Sequence, residues 1–251
     1  MKLEVDAVSK TYEIPVLNTV SFQAAEGEFV CLLGPNGCGK TTLLRIIGGL
    51  EAPTAGEVRL DGRVVGYAGR AEFHVGVVFQ EDRLLPWRTL EDNVALVLKP
   101  LGREAAARRE TARRYLRFVG LQGFEGYYPS RVSGGMRQRA AIARALAIEP
   151  DVLLMDEPFG ALDAQNRRIM QAEVRRIWAE TRKTIVFVTH SIEEAVAIGT
   201  TVVMLSARPA RVRELIRLKR DGATRDAHAL ADHLSQAIME EVLRQQGEAP
   251  A

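Results

Sequence analysis

The sequence contains few cysteines and no long apolar run. Only two of its 251 residues are cysteines, Cys31 and Cys38, so a disulfide framework is excluded, and no CxxC or Cys/His cluster suggests zinc. The longest apolar runs, near residues 184–189 and 201–205, are far shorter than the roughly 18 apolar residues of a membrane-spanning helix. No apolar stretch follows Met1, so we expect no secretory signal and a cytoplasmic protein.

A large excess of one charge is also missing, because the formal net charge is +2. Charged residues make up 26% and apolar residues 47%, which excludes disorder of the whole chain. Between Arg103 and Glu149, however, there are ten arginines and four glutamates, a local net charge of +6. Such a segment is either a solvated helical face or a surface for acidic head groups, nucleic acid or a nucleotide. We expect a solvated face and no specific nucleic-acid binding.

The pattern of apolar residues predicts an α/β fold. Alternating stretches at 3–5, 21–25 and 56–60, the last running into the Asp61-Gly62 turn, predict antiparallel strands near the N-terminus. Unbroken apolar runs predict mainly parallel strands that are covered on both faces. These runs are Phe29–Leu33, Val75–Phe79, Val152–Met155, Ile185–Val188 and Val202–Leu205.

The segment from about 86 to 149 has helical periodicity and no buried strand, which predicts a helical insertion. We therefore predict one domain over residues 1–251. Its α/β core covers about 1–85 and 150–220, the insertion about 86–149, and a C-terminal helical tail about 221–251. The tail carries an apolar stripe that we expect to pack locally, formed by Leu230, Leu234, Ile238 and Val242.

A phosphate-binding motif follows the predicted strand at 29–33. Residues 34–41 read GPNGCGKT, which fits GxxxxGK[ST], and a helical pattern follows from Thr42. In this motif backbone N–H groups surround phosphate oxygens, Lys40 adds positive charge and the Thr41 hydroxyl can ligate Mg²⁺. The loop thus predicts a P-loop NTPase core with a nucleoside triphosphate site. Cys38 is interpreted as a small filler, and the alternative is that exposure of the loop makes its thiol reactive. The predicted nucleotide-binding residues are Gly34, Pro35, Asn36, Gly37, Cys38, Gly39, Lys40, Thr41 and Thr42.

The predicted strand at 152–155 ends in two adjacent carboxylates, Asp156 and Glu157, the arrangement called Walker B. We assign Asp156 to the metal and Glu157 to catalysis, because a second acid can orient or deprotonate an attacking water. His190 ends the next buried run. Since the ends of parallel strands line one edge of a sheet, we expect His190 to lie near the acids.

Further residues occur in the order typical of ATP-binding cassette (ABC) ATPases. With the motifs above, Tyr12, Gln80, the VSGGM segment at 132–136, Asp163 and His190 make residues 1 to about 220 resemble this family. The SGG motif shortly before Walker B is the most specific of these features. Ser133 also has the position of an N-cap for a helix that continues to Ala147.

The resemblance implies a role for each matching residue. Tyr12 would stack on adenine, and Asp163 would cross a dimer interface. Gln80 would bind Mg²⁺ and connect the metal and the catalytic water to the membrane partner. The local alternatives are a strand aromatic for Tyr12, a strand end for Gln80 and a helix N-cap for Asp163.

The SGG motif would contact the γ-phosphate bound to a second copy of the chain. The sequence has Val132 and Met136 where the family commonly has leucine and glutamine. Methionine cannot replace the hydrogen bonds of glutamine, so the predicted contact depends on Ser133, Gly134 and Gly135.

Three segments resemble the ATP subunits of bacterial nitrate, sulfonate and taurine importers: LLPW at 84–87, SGGMRQR at 133–139 and LSARP at 205–209. The resemblance implies a head-to-tail homodimer that hydrolyses Mg·ATP on the inner face of the cell membrane. Its partners would be transmembrane permease subunits and, indirectly, a solute-binding protein. The alternatives are a soluble ABC ATPase outside transport and a nucleotide sensor without turnover, which Glu157 argues against. Within the LLPW segment, Leu84, Leu85 and Trp87 predict an apolar docking surface for the permease.

Overall fold

The computed structural model describes residues 2–67, 74–160, 162–218 and 224–246. The chain divides into two compact units, residues 1–73 with 182–251, and residues 74–181. In chain order the elements are β1 (Leu3–Thr11), β2 (Pro15–Ala24), β3 (Phe29–Leu33), α1 (Lys40–Ile47), β4 (Ala55–Leu60), β5 (Arg63–Val64), β6 (Val75–Val78), α2 (Leu90–Leu96), α3 (Ala105–Phe118), a 3₁₀ turn (Pro129–Arg131), α4 (Gly134–Ala147), β7 (Val152–Asp156), α5 (Ala164–Thr181), β8 (Thr184–Val188), α6 (Ile192–Ile198), β9 (Thr201–Leu205), β10 (Val212–Arg217) and α7 (Thr224–Gln246).

The first unit begins with an antiparallel sheet in the order β2-β1-β4-β5. Leu3 and Val5 are buried while Glu4 between them is partly exposed, as strand alternation requires. Asp61 and Gly62 have φ values of 48° and 75°, the left-handed conformation of a two-residue hairpin turn. The predicted antiparallel start and its hairpin are confirmed.

The same unit contains a second sheet segment in the order β10-β9-β3-β8. β3 is parallel to both β8 and β9, and every residue of these three strands is buried. The rings of Phe29 and Phe187 pack at 5.8 Å between centroids in this core. The unbroken apolar runs of β3, β8 and β9 therefore did indicate parallel strands covered on both faces.

The second unit is built on the parallel pair β6 and β7, with α2, α3 and α4 between them in sequence. The segment at 86–149 contains these helices and no strand. Gly76 in β6 leaves room for α4, because a Cβ atom there would lie 2.7 Å from the Ala145 carbonyl oxygen. The arginines at 108, 109, 113, 114 and 117 lie on α3, and most of them are exposed.

The C-terminal helix α7 packs against α6 in the first unit. Leu234 is buried, and Leu230, Ile238 and Val242 are partly exposed, which agrees with local packing of the predicted stripe. The predicted start of the tail near residue 221 lies outside the described residues. In the described part of the chain, no helix is long and apolar enough to cross a membrane.

Candidate functional site

The phosphate-binding loop (residues 34–41) connects β3 to α1, as its motif requires. Lys40 is buried, and its Nζ donates hydrogen bonds to the carbonyl oxygens of Gly34 at 2.8 Å and Pro35 at 2.9 Å. The ammonium group is therefore held across the mouth of the loop. A cation in this position, with the N-terminus of α1 behind it, suits a phosphate group.

Gly39, which precedes α1, is required by the backbone and by packing. Its φ of 120° is disfavoured for other residues, and a Cβ atom there would lie 2.8 Å from Leu17 and 2.9 Å from Val16. Cys38 is fully buried, and burial raises the pKa of its thiol although Lys40 and Arg208 oppose the rise. The idea that loop exposure makes Cys38 reactive is therefore wrong, because the loop packs its side chain inward.

Tyr12 lies in the turn after β1 with 52% of its surface exposed. Its hydroxyl donates a hydrogen bond to the carboxylate of Glu51, and the Lys10 ammonium lies 4.9 Å from the ring centroid. Burial and the bond to Glu51 raise the pKa of Tyr12, so the phenol stays neutral. The ring is thus anchored at its hydroxyl end while much of its surface remains open for stacking. Glu51 and Lys10 were not predicted, because their sequence positions carry no motif.

His190 follows β8 and is exposed. β8 and β3 are parallel neighbours, and Val188 of β8 lies opposite Leu32 of β3. His190 comes two residues after Val188 and Gly34 two residues after Leu32, so both follow their strands at the same edge of the sheet. Ser191 caps α6 by accepting a 3.2 Å hydrogen bond from the Glu194 N–H. The hydroxyl of Thr189 joins the cap, accepting from Ser191 N–H at 3.0 Å and donating to the Glu194 carboxylate at 2.6 Å. This network fixes the backbone on both sides of His190.

In the second unit, Gln80 and Glu157 follow two paired parallel strands. Val78 of β6 lies opposite Met155 of β7, so Gln80 and Glu157 each come two residues after a member of this pair. Glu157 has a φ of 42°, a strained conformation for a residue other than glycine. A Cβ atom on Gly160 would lie 3.3 Å from Gln80 Nε2, which places the amide beside the turn that follows Glu157.

Asp156 is buried at the end of β7, and Glu157 is partly exposed. The apolar strand thus carries its first carboxylate inside the protein and presents the second to solvent. This difference suits a metal ligand followed by a group that meets water.

Ser133 caps α4, because its hydroxyl accepts a 3.3 Å hydrogen bond from Met136 N–H. Gly134 and Gly135 follow as the first two residues of the helix. Asp163 caps α5, accepting from Asn166 N–H at 2.9 Å, and this bond lowers the pKa of its carboxyl. The predicted caps are confirmed, and both leave exposed helix N-termini in this unit.

Residues 80–88 follow β6, and we call them the Gln80 loop. Two arginines of α4 that the sequence analysis did not single out hold this loop to the helix. Arg137 Nε donates to Asp82 Oδ2 at 2.9 Å, and Arg144 donates to the carbonyl oxygens of Asp82 at 2.8 Å and Arg83 at 2.6 Å. Burial lowers the pKa of Arg144. The local excess of arginine was visible in the sequence, but a charge count does not reveal that an arginine binds backbone carbonyls.

The buried side chain of Asn93 in α2 also binds the Gln80 loop. Its Oδ1 accepts from Leu85 N–H at 2.7 Å, and its Nδ2 donates to the carbonyl oxygens of Leu85, Arg88 and Thr89. Trp87 in this loop is 71% exposed, whereas Leu84 is buried and Leu85 partly buried. The expectation that Leu84 contributes to an exposed apolar surface is wrong, because Leu84 packs into its own unit.

Each unit carries oxygen atoms that could ligate a divalent cation. The first unit has the Thr41 hydroxyl, and the second has the Asp156 carboxylate and the Gln80 amide oxygen. Mg²⁺ prefers oxygen ligands and is commonly held by one or two carboxylates together with substrate phosphates. No group of three His, Cys, Asp or Glu side chains in the described ranges forms a protein-only metal cage. The residues present fit Mg²⁺ that enters with a nucleotide.

The predicted residues are divided between the two units. Tyr12, the phosphate-binding loop and His190 belong to the first unit, and Gln80, Asp156, Glu157, Asp163 and the SGG motif belong to the second. A strand, a GxxxxGK[ST] loop and a helix, with an acid pair ending another buried strand, define an ATP-binding P-loop protein. The family model described as ABC transporter matches residues 17–160, more than half of the chain. The chain belongs to the ABC transporter family.

Two relatives and one solved structure give the range of similarity. A taurine import ATP-binding protein of Rhizobium johnstonii is 47% identical, over 92% of this chain and 88% of the relative. An aliphatic sulfonates import ATP-binding protein of Bacillus cereus is 42% identical, over 86% of each chain. A dimeric ATP-binding cassette in a post-hydrolysis state with ADP and phosphate is 34% identical, with a TM-score of 0.75, over 86% of this chain and 99% of that one. The predicted fold class and the prediction of an ABC ATPase are confirmed.

Proposed function

We propose that this chain is the ATP-binding and ATP-hydrolysing subunit of an importer for a small anionic or zwitterionic solute of the nitrate, sulfonate or taurine type. The observation that carries the proposal is the acid pair Asp156-Glu157 at the end of buried β7, in a chain that also holds a complete phosphate-binding loop. The names of the relatives support import and do not favour a soluble ABC ATPase outside transport.

Nucleotide binding is assigned to the first unit. Residues 34–42 would surround the phosphates with backbone N–H groups, and Lys40 would exchange its two carbonyl partners for phosphate oxygens. Tyr12, fixed by Glu51, would stack on adenine. Mg²⁺, with Thr41, Asp156 and Gln80 as its proposed ligands, would neutralise charge on the phosphate oxygens.

Hydrolysis is assigned to Glu157 as the base that orients a water and accepts its proton. Gln80 would help to place that water, and exposed His190 would stabilise charge on the γ-phosphate. The exposed N-terminus of α4, with Ser133, Gly134 and Gly135, would complete the site of a second copy in a head-to-tail homodimer. The strained backbone of Glu157 supports a functional role, because such conformations cluster at functional sites.

Coupling of ATP hydrolysis to transport is assigned to the Gln80 loop. In this loop, exposed Trp87 offers an aromatic anchor to a permease subunit. Docking on the permease would place the chain at the inner face of the cell membrane. The permease would connect it to a solute-binding protein.

The test is reconstitution of the purified chain in liposomes with a candidate permease and solute-binding protein. We expect phosphate release that rises when the binding protein carries taurine, an alkanesulfonate or nitrate, and uptake of the same solute. Hydrolysis without association with any such permease would overturn the importer assignment. A chain that neither binds nor hydrolyses Mg·ATP would overturn the whole proposal.

A further inference from the structure

The connection between β9 and β10, residues 206–211, is a part of the molecule to which the proposed function gives no role. We call it the Arg208 loop. It starts directly beside the phosphate-binding loop, since a Cβ atom on Gly34 would lie 2.9 Å from the carbonyl oxygen of Leu205, the last residue of β9. The two loops therefore leave neighbouring strands of the first unit at the same edge.

Arg208 is exposed, and its Nη2 donates a 3.2 Å hydrogen bond to the carbonyl oxygen of Gly37. Gly37 is the middle glycine of the phosphate-binding loop, with a φ of 73° and open space around its Cα. A planar peptide points its carbonyl and the following N–H in opposite directions. Arg208 on the Gly37 carbonyl and the 3.3 Å hydrogen bond from Cys38 N–H to the Pro35 carbonyl therefore hold this peptide from both sides. Arg208 thus restrains the loop at its most permissive residue.

The Arg208 loop is itself fixed, which keeps the guanidinium in place. Buried Ala210 pairs with β2, donating to the Val16 carbonyl and accepting from Asn18 N–H, both at 2.9 Å. Within the loop, Ser206 N–H donates to the Arg211 carbonyl at 2.9 Å, and Ser206 Oγ accepts from Arg211 N–H at 3.0 Å. Arg208 therefore extends from a rigid support.

Helix α7 also supports the Arg208 loop. Glu241 is 3% exposed, and its carboxylate accepts hydrogen bonds from the backbone N–H of Ala207 at 2.8 Å, from Arg213 at 2.8 Å and from Arg244 at 3.1 Å. A buried carboxylate needs such donors, and here one of them is the residue before Arg208. The C-terminal helix is connected in this way to the phosphate-binding loop.

We propose that Arg208 is a positioning residue of the nucleotide site, acting through the Gly37 carbonyl, and that Glu241 of α7 holds the Arg208 loop in place. The inference rests on the proposed binding of ATP by residues 34–42. Without Arg208 the phosphate-binding loop has more conformations to lose on binding, which lowers affinity and leaves the chemistry of Glu157 unchanged. We expect the Kd and KM for ATP to rise about 3- to 10-fold, as the loss of one exposed hydrogen bond of ordinary strength predicts, with kcat unchanged.

The test compares four variants of the full chain by ATP affinity, steady-state kinetics and thermal unfolding. Arg208→Ala should weaken ATP binding at an unchanged Tm, and Arg208→Lys should restore part of the affinity because an ammonium can also donate to the carbonyl. Arg211→Ala is the matched control, because it removes the same charge from the same loop while its side chain faces Asn18. Glu241→Gln should weaken ATP binding in the direction of Arg208→Ala.

The effect of Arg208→Ala should persist at about 0.5 M salt, where long-range attraction of ATP by an exposed charge is screened. Equal affinity of Arg208→Ala and the parent, equal loss in Arg211→Ala, or loss only at low salt would each overturn the role of Arg208. Unchanged affinity in Glu241→Gln would overturn the role of α7. If the parent chain fails to bind ATP, the proposed function fails instead.

Discussion

The guanidinium of Arg137 donates a 2.9 Å hydrogen bond to the carboxylate of Asp82 and a second, of 3.1 Å, to the carbonyl of Val132. One side chain therefore joins the residue that precedes the SGG motif to the Gln80 loop. Arg144, two turns further along α4, binds the carbonyls of the same loop. The element that carries the SGG motif and the loop that carries Gln80 and Trp87 are thus fastened together within the second unit.

The two arginines should contribute unequally to stability. The Arg137–Asp82 pair is partly exposed, so Arg137→Ala should lower the free energy of unfolding by only about 0.2–1 kcal/mol. Arg144→Ala should cost more, about 1–3 kcal/mol, because two carbonyls of a partly buried loop lose their donor. Urea unfolding measures both, with exposed Arg109→Ala as the control. A smaller loss for Arg144→Ala than for Arg137→Ala would contradict this reading.

Glu157→Gln should abolish turnover and preserve ATP binding. The amide keeps the shape of the side chain but cannot accept a proton, so hydrolysis should fall about 10²- to 10⁴-fold. An ATP-bound dimer should then accumulate, which size-exclusion chromatography detects. Lys40→Ala is the contrasting variant, because removing its charge should weaken nucleotide binding itself. Near-parental hydrolysis by Glu157→Gln would remove Glu157 from the catalytic assignment.

Both cysteines should react slowly with thiol reagents in the native protein. Burial raises the pKa of Cys31 far above its usual value and also raises that of Cys38. Less thiolate is present at neutral pH as a result, and neither sulfur is accessible. Labelling with a chromogenic disulfide reagent should be slow for the folded chain and release two equivalents in guanidinium chloride. Rapid labelling of one thiol, lost in Cys38→Ala, would show that the phosphate-binding loop opens.

Trp87→Ala should separate docking from catalysis. Since Trp87 is exposed, the substitution should leave the Tm and the ATPase rate of the isolated chain largely unchanged. Association with the permease should weaken by about 2 kcal/mol or more if Trp87 is an interface anchor. Pull-down of the permease measures this effect, and Tyr127→Ala, another exposed aromatic in the same unit, is the control. Unchanged association would refute the docking role.

Much of the fold could be predicted because its signals are local. Continuous apolar runs identified β3, β7, β8 and β9, and the Asp61-Gly62 turn identified a hairpin. The caps at Ser133 and Asp163 were also visible in the sequence, because a capping side chain accepts a hydrogen bond from a backbone N–H only three residues away.

The environment of single side chains could not be predicted, because it depends on contacts that are distant in sequence. Cys38 belongs to a motif that binds a ligand from solvent, yet its own side chain is buried. Leu84 and Trp87 stood in one apolar cluster, and the structure buries the first and exposes the second. Arg208 lies in the LSARP segment, which in the sequence indicated a resemblance to importer subunits and no contact. The Gly37 carbonyl that it binds is 171 positions away.

The sequence by itself determined which chemistry this protein can carry out, since a phosphate-binding loop and an acid pair are defined by residue type and spacing along a few positions. Only the tertiary structure decided which oxygen atoms three of the arginines bind. The guanidinium groups of Arg137, Arg144 and Arg208 bind carboxylate or carbonyl oxygens 55, 61 and 171 positions away. Chain folding brings these oxygens within hydrogen-bonding distance, and no local pattern encodes such a contact.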